Sequence, residues 1–166
     1  VNIALYHGSV AGVRTDMGWM MEHGEIDYSV LENFDYALLG DIHKTNQVLD
    51  TTGRVRYPGS TVQQNFGETD DKGFLIWDIR SKQDFSCKHY AIPNPRPFVT
   101  LTLDENGVLP QIDVKKGARI RIVADKNVTL EKVKKATEVV KSRFQPESVT
   151  FVNKAVISKA SQDEIN

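Results

Sequence analysis

The chain has only one cysteine, Cys87, in 166 residues, so it cannot form an internal disulfide. This usage is typical of a reducing intracellular compartment. No apolar run approaches the roughly 20 residues that a membrane-spanning helix requires. The N-terminus also lacks the basic and apolar segments of a secretory leader. These absences predict a soluble cytoplasmic protein with no membrane partner.

The composition also lacks a charge bias, with 21 Lys and Arg against 22 Asp and Glu. Dedicated nucleic-acid binders are often strongly basic, so any DNA contact here would depend on a local basic patch or on metal ions. Apolar residues make up 40% of the sequence, which is enough for an ordinary core without a disulfide or a structural metal. The length predicts one domain, or one domain with a small appendage.

An initiating methionine is absent as well, and the sequence passes from Val1 directly into an apolar run over residues 1–6. Open reading frames seldom begin inside a core strand. We therefore expect a segment of a longer chain, a proteolytic product or a cloned fragment.

Three prolines within residues 93–97 mark a change in composition. Such a segment favours an extended, semi-rigid connector. It predicts a first domain over residues 1–92, a linker over 93–97, a second domain over 98–157 and a frayed tail over 158–166.

The first domain contains short apolar or alternating segments that predict strands. They cover residues 1–6, where the strand is expected to be buried, and 34–39, 47–51, 55–57, 73–79 and 85–92, with a short helix over 27–32. Thr52-Gly53-Arg54 predicts a hairpin turn between the third and fourth strands, because glycine readily adopts a positive φ.

The second domain is predicted to be a small α+β module. Strands over residues 98–103, 118–124 and 148–156 accompany one helix from Leu130 to Phe144, with Thr129 as its N-cap and Pro146 beyond its end. Apolar residues recur along this helix with a period near 3.6 and predict its core face. They are Leu130, Val133, Ala136, Val140 and Phe144.

Possible metal ligands directly follow two of the predicted strands. His7 follows the first strand, and Asp41 and His43 follow the strand over residues 34–39. Function in open α/β sheets concentrates at the carboxyl ends of strands, and an Asp-x-His spacing places both side chains on one side of an extended segment. Imidazole together with carboxylate suits Mn, Fe or Zn better than Ca. The alternative for each residue is a hydrogen-bonded structural role.

An ordered series of motifs favours the metal interpretation. It consists of YHG at residues 6–8, FDYALLGDIHK at 34–44, YPGS at 57–60, FGE at 66–68 and KGF at 72–74. The series resembles the second half of a calcineurin-like metallophosphoesterase, and in particular SbcD-type double-strand-break repair nucleases and their phage relatives. The resemblance is strongest over residues 1–80 and looser through the linker and the second domain.

The resemblance implies an α/β fold, namely the second half of a metallophosphoesterase β-sandwich flanked by helices, followed by an α+β DNA-capping domain. His7 matches the family's fourth motif, and Asp41 and His43 match the two ligand positions of the fifth. The first of those two positions is commonly His, so Asp41 departs from the pattern and supplies a harder oxygen donor. The family's first three motifs, with the bridging Asp and the catalytic His, do not occur in this chain. No catalytic residue is therefore expected here, and the 166 residues alone are expected to be inactive.

By the same resemblance, the full-length parent is a Mn-dependent DNA exo/endonuclease of double-strand-break repair or recombination. Its cofactors would be two divalent metal ions, manganese or magnesium. Its partners would be DNA and an SbcC-like ATPase subunit, in the cytoplasm of a bacterial or phage-infected cell, and no family-type homodimer is expected from this segment. One alternative is a metallophosphoesterase that acts on a non-DNA phosphodiester. The other is a non-catalytic fragment that caps DNA or docks an ATPase.

Several polar residues near the predicted ligands are candidate DNA contacts. Lys44, Arg56 and Ser60 are the positions that we select for this role. The alternative for the two cations is a solvated surface, and the alternative for Ser60 is a turn residue supporting the Pro-Gly-Ser bend. His23 is expected on the surface, and His89 with Cys87 offers too few ligands for a zinc site.

Overall fold

The computed structural model describes residues 1–154, which form a mixed α/β chain of nine strands and one α-helix. The chain divides into two compact units, Val1–Asn94 and Pro95–Asn166. This division falls within the proline-rich segment of residues 93–97, and the predicted tail over residues 158–166 lies outside the described residues. The first unit contains β1 (Ile3–His7), β2 (Tyr36–Gly40), β3 (Gln47–Val48), β4 (Val55–Tyr57), β5 (Gly73–Ile79) and β6 (Phe85–Ala91), and the second contains β7 (Phe98–Thr102), β8 (Arg119–Ala124), α1 (Leu130–Phe144) and β9 (Ser148–Asn153).

A four-stranded sheet of order β1-β2-β4-β3 organises the first unit. β1, β2 and β4 run parallel, so their carboxyl ends meet at one edge of the sheet. β3 pairs antiparallel with β4, which confirms the predicted hairpin, and Gly53 in its turn has a φ of +79°. The predicted helix over residues 27–32 is only a single 3-10 turn, Tyr28–Leu31.

One face of this sheet carries the apolar core of the first unit. Ala4, Ala37 and Val55 lie side by side on β1, β2 and β4, and all three are buried. Residues of the connecting segments pack against them, and these are Val10, Val13, Leu31 and Ile42. Burial of the valine, leucine and isoleucine side chains contributes roughly 1.5–3 kcal/mol each. A slip of one residue would turn a strand's buried side chains to the other face, so this face fixes the register of the parallel strands.

The hairpin of β5 and β6 packs against Tyr36 on the opposite face. The Tyr36 ring meets the Phe85 ring edge-on with centroids 5.2 Å apart and the Trp77 ring at 6.2 Å. Its hydroxyl donates to the Ser81 carbonyl oxygen at 2.7 Å, in the turn of the hairpin. Each such aromatic pair contributes about 0.5–1.5 kcal/mol beyond area burial.

The prediction that the first strand is fully buried is wrong. Leu5 is 78% exposed, Ile3 on the same face of β1 is also exposed, and so is Val1 just before the strand. The apolar run does alternate, with Ala4 inward, but β1 is an edge strand and part of its outward face has no cover within residues 1–154. The apolar composition of residues 1–6 therefore predicted a buried strand, whereas the sheet topology leaves the outward face of β1 exposed.

The second unit is a three-stranded sheet of order β7-β8-β9, with its core between the sheet and α1. All three strands are parallel. The helix between β8 and β9 carries the chain back to the same end of the sheet, as a βαβ crossover requires. The predicted α+β module therefore has the parallel arrangement of an α/β unit.

Helix α1 has the predicted bounds, and both of its predicted end signals are confirmed. The Thr129 side chain accepts a hydrogen bond from the Lys132 N–H, and Gln145 at the C-cap has a left-handed φ of +45° ahead of Pro146. Four of the five predicted core residues are buried, but Leu130 is 64% exposed. Leu130 is the first helical residue, at the end of the apolar stripe.

None of the helices within residues 1–154 combines the length and the apolar composition of a membrane-spanning segment.

Candidate metal centre

Two of the predicted ligands lie at the edge of the sheet where the parallel strands end. His7 is the last residue of β1 and pairs in register with Gly40, the last residue of β2. The chain continues from Gly40 to Asp41, whose carboxylate oxygen Oδ1 lies 3.8 Å from Nε2 of His7. The His7 side chain is 81% exposed and that of Asp41 is 45% exposed. The pair is therefore open to a third group approaching from solvent.

Gly40 leaves the space that the His7 ring occupies. A Cβ atom added at Gly40 would lie 2.7 Å from Nδ1 of His7, which is closer than real Cβ contacts permit. The imidazole therefore lies directly over the backbone of the neighbouring strand. The glycine of the GDIH motif thus leaves room for the His7 ring in this position.

The backbone of Asp41 is strained. Its φ of +93° is rare for a residue other than glycine, and such positions cluster at functional sites. The segment from Asp41 to His43 is therefore not extended, so the expectation that alternation places both side chains on one side does not apply. Asp41 lies beside His7, whereas His43 makes contacts of its own.

His43 is bound to a carboxylate that the sequence analysis did not assign. Its Nδ1 lies 2.9 Å from Oε1 of Glu68, and the His43 side chain is 39% exposed while that of Glu68 is 6% exposed. Glu68 also accepts hydrogen bonds from the Gln64 N–H and from the Asn65 amide. Burial would raise the pKa of Glu68, but the hydrogen bonds from His43 and from the Gln64 N–H, together with the charge of Lys72, hold the pKa below its ordinary value.

A buried lysine lies behind this pair. Lys72 is 1% exposed, and its ammonium donates to the Asp16 carboxylate and to the His43 carbonyl oxygen at 2.8 Å. The Glu68 oxygen Oε2 lies 3.5 Å from the same nitrogen. Burying an ammonium group is costly unless it is paired, and three acceptors match its three N–H groups.

Asp41, His43 and Glu68 line a cleft of about 260 Å³ together with Asp16 and Asn65.

Tyr57 connects β4 to the loop that follows His7. Its buried hydroxyl donates to the Gly8 carbonyl oxygen at 2.8 Å and accepts from the Val10 N–H at 3.1 Å. Burial raises the pKa of Tyr57 to about 12. One side chain thus satisfies two backbone groups beside the candidate ligand.

Replacing Tyr57 with phenylalanine is expected to lower the free energy of unfolding by about 1–3 kcal/mol at pH 8, because two buried backbone groups lose their partner. The raised pKa adds stability that is complete below pH 10, the ordinary value, and is lost as the pH rises through about 12. The difference between the wild type and Tyr57→Phe should therefore narrow by about 1 kcal/mol at pH 11. Urea unfolding followed by tryptophan fluorescence at both pH values measures this. A difference that stays constant between the two pH values, or that Tyr90→Phe on the exposed hairpin reproduces, would contradict it.

Two of the three candidate DNA contacts have structural partners. Arg56 donates to the Gly53 carbonyl oxygen at 2.7 Å and to the Asn46 side chain at 3.2 Å, and it lies over the Trp77 ring. The Ser60 hydroxyl donates to the Val62 carbonyl oxygen at 3.0 Å, as expected of a turn residue. Lys44 is half-buried. Their role in DNA binding stays a prediction.

Among residues 1–154, no three His, Cys, Asp or Glu side chains come together as a group that could hold a metal ion. The structure brings His7 to Asp41 and His43 to Glu68, as two separate pairs. Sequence reasoning noted the FGE and KGF segments but gave Glu68 and Lys72 no role. Their spacing of four residues and the placement of Lys72 directly before a strand were the available signals.

The chain is similar to an uncharacterized protein of Acanthamoeba polyphaga mimivirus, with 29% identity over 124 residues. The match covers 74% of this chain but only 9% of the viral protein's length. No protein-family model matches the chain.

Proposed function

We propose that this chain carries the downstream part of a two-metal phosphoesterase site of the DNA-repair nuclease kind, with His7, Asp41 and His43 as metal ligands. One observation carries the proposal. The imidazole of His7 and the carboxylate of Asp41 lie 3.8 Å apart at the carboxyl ends of adjacent parallel strands, where sites concentrate in α/β sheets. The strained backbone of Asp41 supports it further, since a strained residue with no functional role would be costly.

The donor set fits a transition metal of intermediate hardness. Imidazole nitrogen combined with carboxylate oxygen suits manganese, and the extra carboxylate at Asp41 also suits magnesium. The two pairs supply only part of a two-metal site, so the proposal assigns the other ligands to the upstream motifs of the longer protein. When bound, a metal pair activates water and stabilises the attacking and leaving oxygens of a phosphodiester.

The open face of β1 supports the finer fold assignment. Parallel sheets are normally covered on both faces, yet Ile3 and Leu5 are exposed on the edge strand. In the proposal, upstream strands cover this face and complete a metallophosphoesterase β-sandwich flanked by helices. The second unit would then serve as the DNA-capping domain.

Two arginines on the sheet of the second unit, Arg119 and Arg121, support the capping role, and Arg119 Nε also pairs with a Glu147 carboxylate oxygen at 2.9 Å. Arg119 and Arg121 on β8 lie in register with Phe98 and Thr100 on β7. The guanidinium of Arg119 lies 4.9 Å from the centroid of the Phe98 ring, and Arg121 donates to the Thr100 hydroxyl at 3.0 Å. Guanidinium and hydroxyl groups are common phosphate contacts. The proposal includes DNA as substrate, an SbcC-like ATPase as partner, a cytoplasmic location and no family-type homodimer through this segment.

Restoring the upstream coding sequence and assaying Mn²⁺-dependent cleavage of linear duplex DNA tests the proposal. We expect His7→Ala and His43→Ala each to lower the cleavage rate by about 100-fold, as loss of an essential charge-stabilising group does. His23→Ala, in an exposed loop, should leave the rate unchanged. An unchanged cleavage rate in both His7→Ala and His43→Ala would contradict the proposal. Faster cleavage of a small phosphodiester than of DNA would indicate a substrate other than DNA.

A further inference from the structure

The environment of His43 fixes which of its two ring nitrogens carries the proton. Both oxygens of Glu68 already face donors, namely the Asn65 amide at Oε1 and the Gln64 N–H and the Lys72 ammonium at Oε2. A carboxylate whose oxygens are surrounded by donors accepts hydrogen bonds. The 2.9 Å contact with His43 is therefore an Nδ1–H donated to Oε1 of Glu68. This leaves the lone pair on Nε2.

Glu68 is itself held in place from several sides. Its Oε1 accepts from the Asn65 amide at 3.1 Å, and its Oε2 accepts from the Gln64 N–H at 3.0 Å and lies 3.5 Å from Lys72 Nζ. Lys72 also donates to the His43 carbonyl oxygen. One buried cation therefore contacts both the backbone of His43 and the carboxylate that orients the His43 ring.

We propose that Glu68, held by Lys72, is a positioning residue that presents Nε2 of His43 as a metal ligand. The inference rests on the proposed function and identifies the residue that orients His43 in the proposed metal site. A carboxylate that accepts the second N–H of a ligating histidine fixes the ring orientation and raises the basicity of the ligating nitrogen. Glu68 touches neither substrate nor metal in this role, because both of its oxygens are engaged within the protein.

The tautomer of His43 tests the positioning directly. In two-bond ¹⁵N–¹H correlation spectra of the labelled 166-residue chain, recorded at about pH 8.5, His43 should be in the Nδ1–H form. Glu68→Ala should move it towards the Nε2–H form. Glu68→Gln should retain the Nδ1–H form, because the amide oxygen still accepts the hydrogen bond. Glu32→Ala, at an exposed residue, should change nothing. An unchanged His43 tautomer in folded Glu68→Ala or, if that variant does not fold, loss of the Nδ1–H form in Glu68→Gln would overturn the inference.

Paramagnetic broadening by Mn²⁺ separates this inference from the proposed function. In the protein with its upstream sequence restored, added MnCl₂ should broaden the His43 ring signals of the wild type, and Glu68→Ala should need about 10–100-fold more Mn²⁺ for the same broadening. Equal broadening in both proteins contradicts the positioning role alone. Absence of His43 broadening in the wild type contradicts the proposed metal site itself, whatever the tautomer is.

Discussion

Replacing Lys72 with methionine is expected to lower the free energy of unfolding of the first unit by about 3–5 kcal/mol. Methionine keeps the length of the side chain and removes its charge. The carboxylates of Asp16 and Glu68 are each only 6% exposed, so they lose their cation without gaining water. Removing one partner of a buried ion pair is costly because it leaves the other charge uncompensated.

Tryptophan fluorescence during urea unfolding measures this loss. Both tryptophans of the chain, Trp19 and Trp77, lie in the first unit, and Trp77 is half-buried in the aromatic contact with Tyr36. Lys82→Met is the matched control, because Lys82 is 56% exposed in its ion pair with Asp35. Exposed pairs contribute about 0–1 kcal/mol. Equal losses in the two variants would show that Lys72 is no more important than a surface lysine.

A double variant resolves the source of the effect. Adding Asp16→Asn to Lys72→Met removes one of the two stranded charges. The double variant should therefore be less destabilised than the sum of the single variants, by the interaction energy of roughly 0.5–3 kcal/mol that contacting residues show. Strict additivity would mean that the stability loss of Lys72→Met comes from packing and not from charge.

Replacing Phe144 with alanine is expected to cost the second unit about 3–5 kcal/mol. Phe144 is buried at the last turn of α1, beside Val140 and Ala118 in the core cluster. Truncation removes the aromatic ring from this core and leaves a cavity in its place. Far-UV circular dichroism follows the loss, because the 15-residue helix α1 packs its buried face on this core.

Leu130→Ala is the informative control for Phe144→Ala. The periodicity of the sequence places both residues on the same apolar stripe, but Leu130 is 64% exposed in the structure. The substitution should change stability by less than about 0.5 kcal/mol, as is usual at surface positions. A large loss at Leu130 would show that the stripe is buried along its full length, as the pattern alone predicts.

The elements of the fold were largely readable from local signals. The hairpin turn at Gly53, the N-cap at Thr129 and the left-handed end of α1 before Pro146 each depend on a few neighbouring residues. The exposure of Leu5 could not be read in this way, because it depends on which strand lies at the edge of the sheet. Alternation gives the two faces of a strand but does not reveal which face is covered.

The candidate site, like the fold, could be predicted from the sequence only in part. The placement of His7 and Asp41 at neighbouring strand ends follows from two apolar runs and the parallel pairing. The burial of Lys72 does not follow from any local pattern, since lysine is ordinarily an exposed residue. It depends on contacts between segments distant in sequence, as in the pairing of Lys72 with Asp16.

β4 contributes no candidate ligand, but it contacts both the loop that follows His7 and the loop that contains His43. β4 ends at Tyr57, whose hydroxyl holds the backbone on either side of Ser9, in the loop that follows His7. Two residues later Gly59, at a φ of +89°, packs so closely on the other loop that an added Cβ would lie 2.8 Å from Thr45 Cα and 3.0 Å from the His43 carbonyl oxygen. The Tyr-Pro-Gly turn therefore sets the distance between the two loops. Replacing this turn with that of a related chain should alter the distance between His7 and His43, although both histidines remain in the sequence.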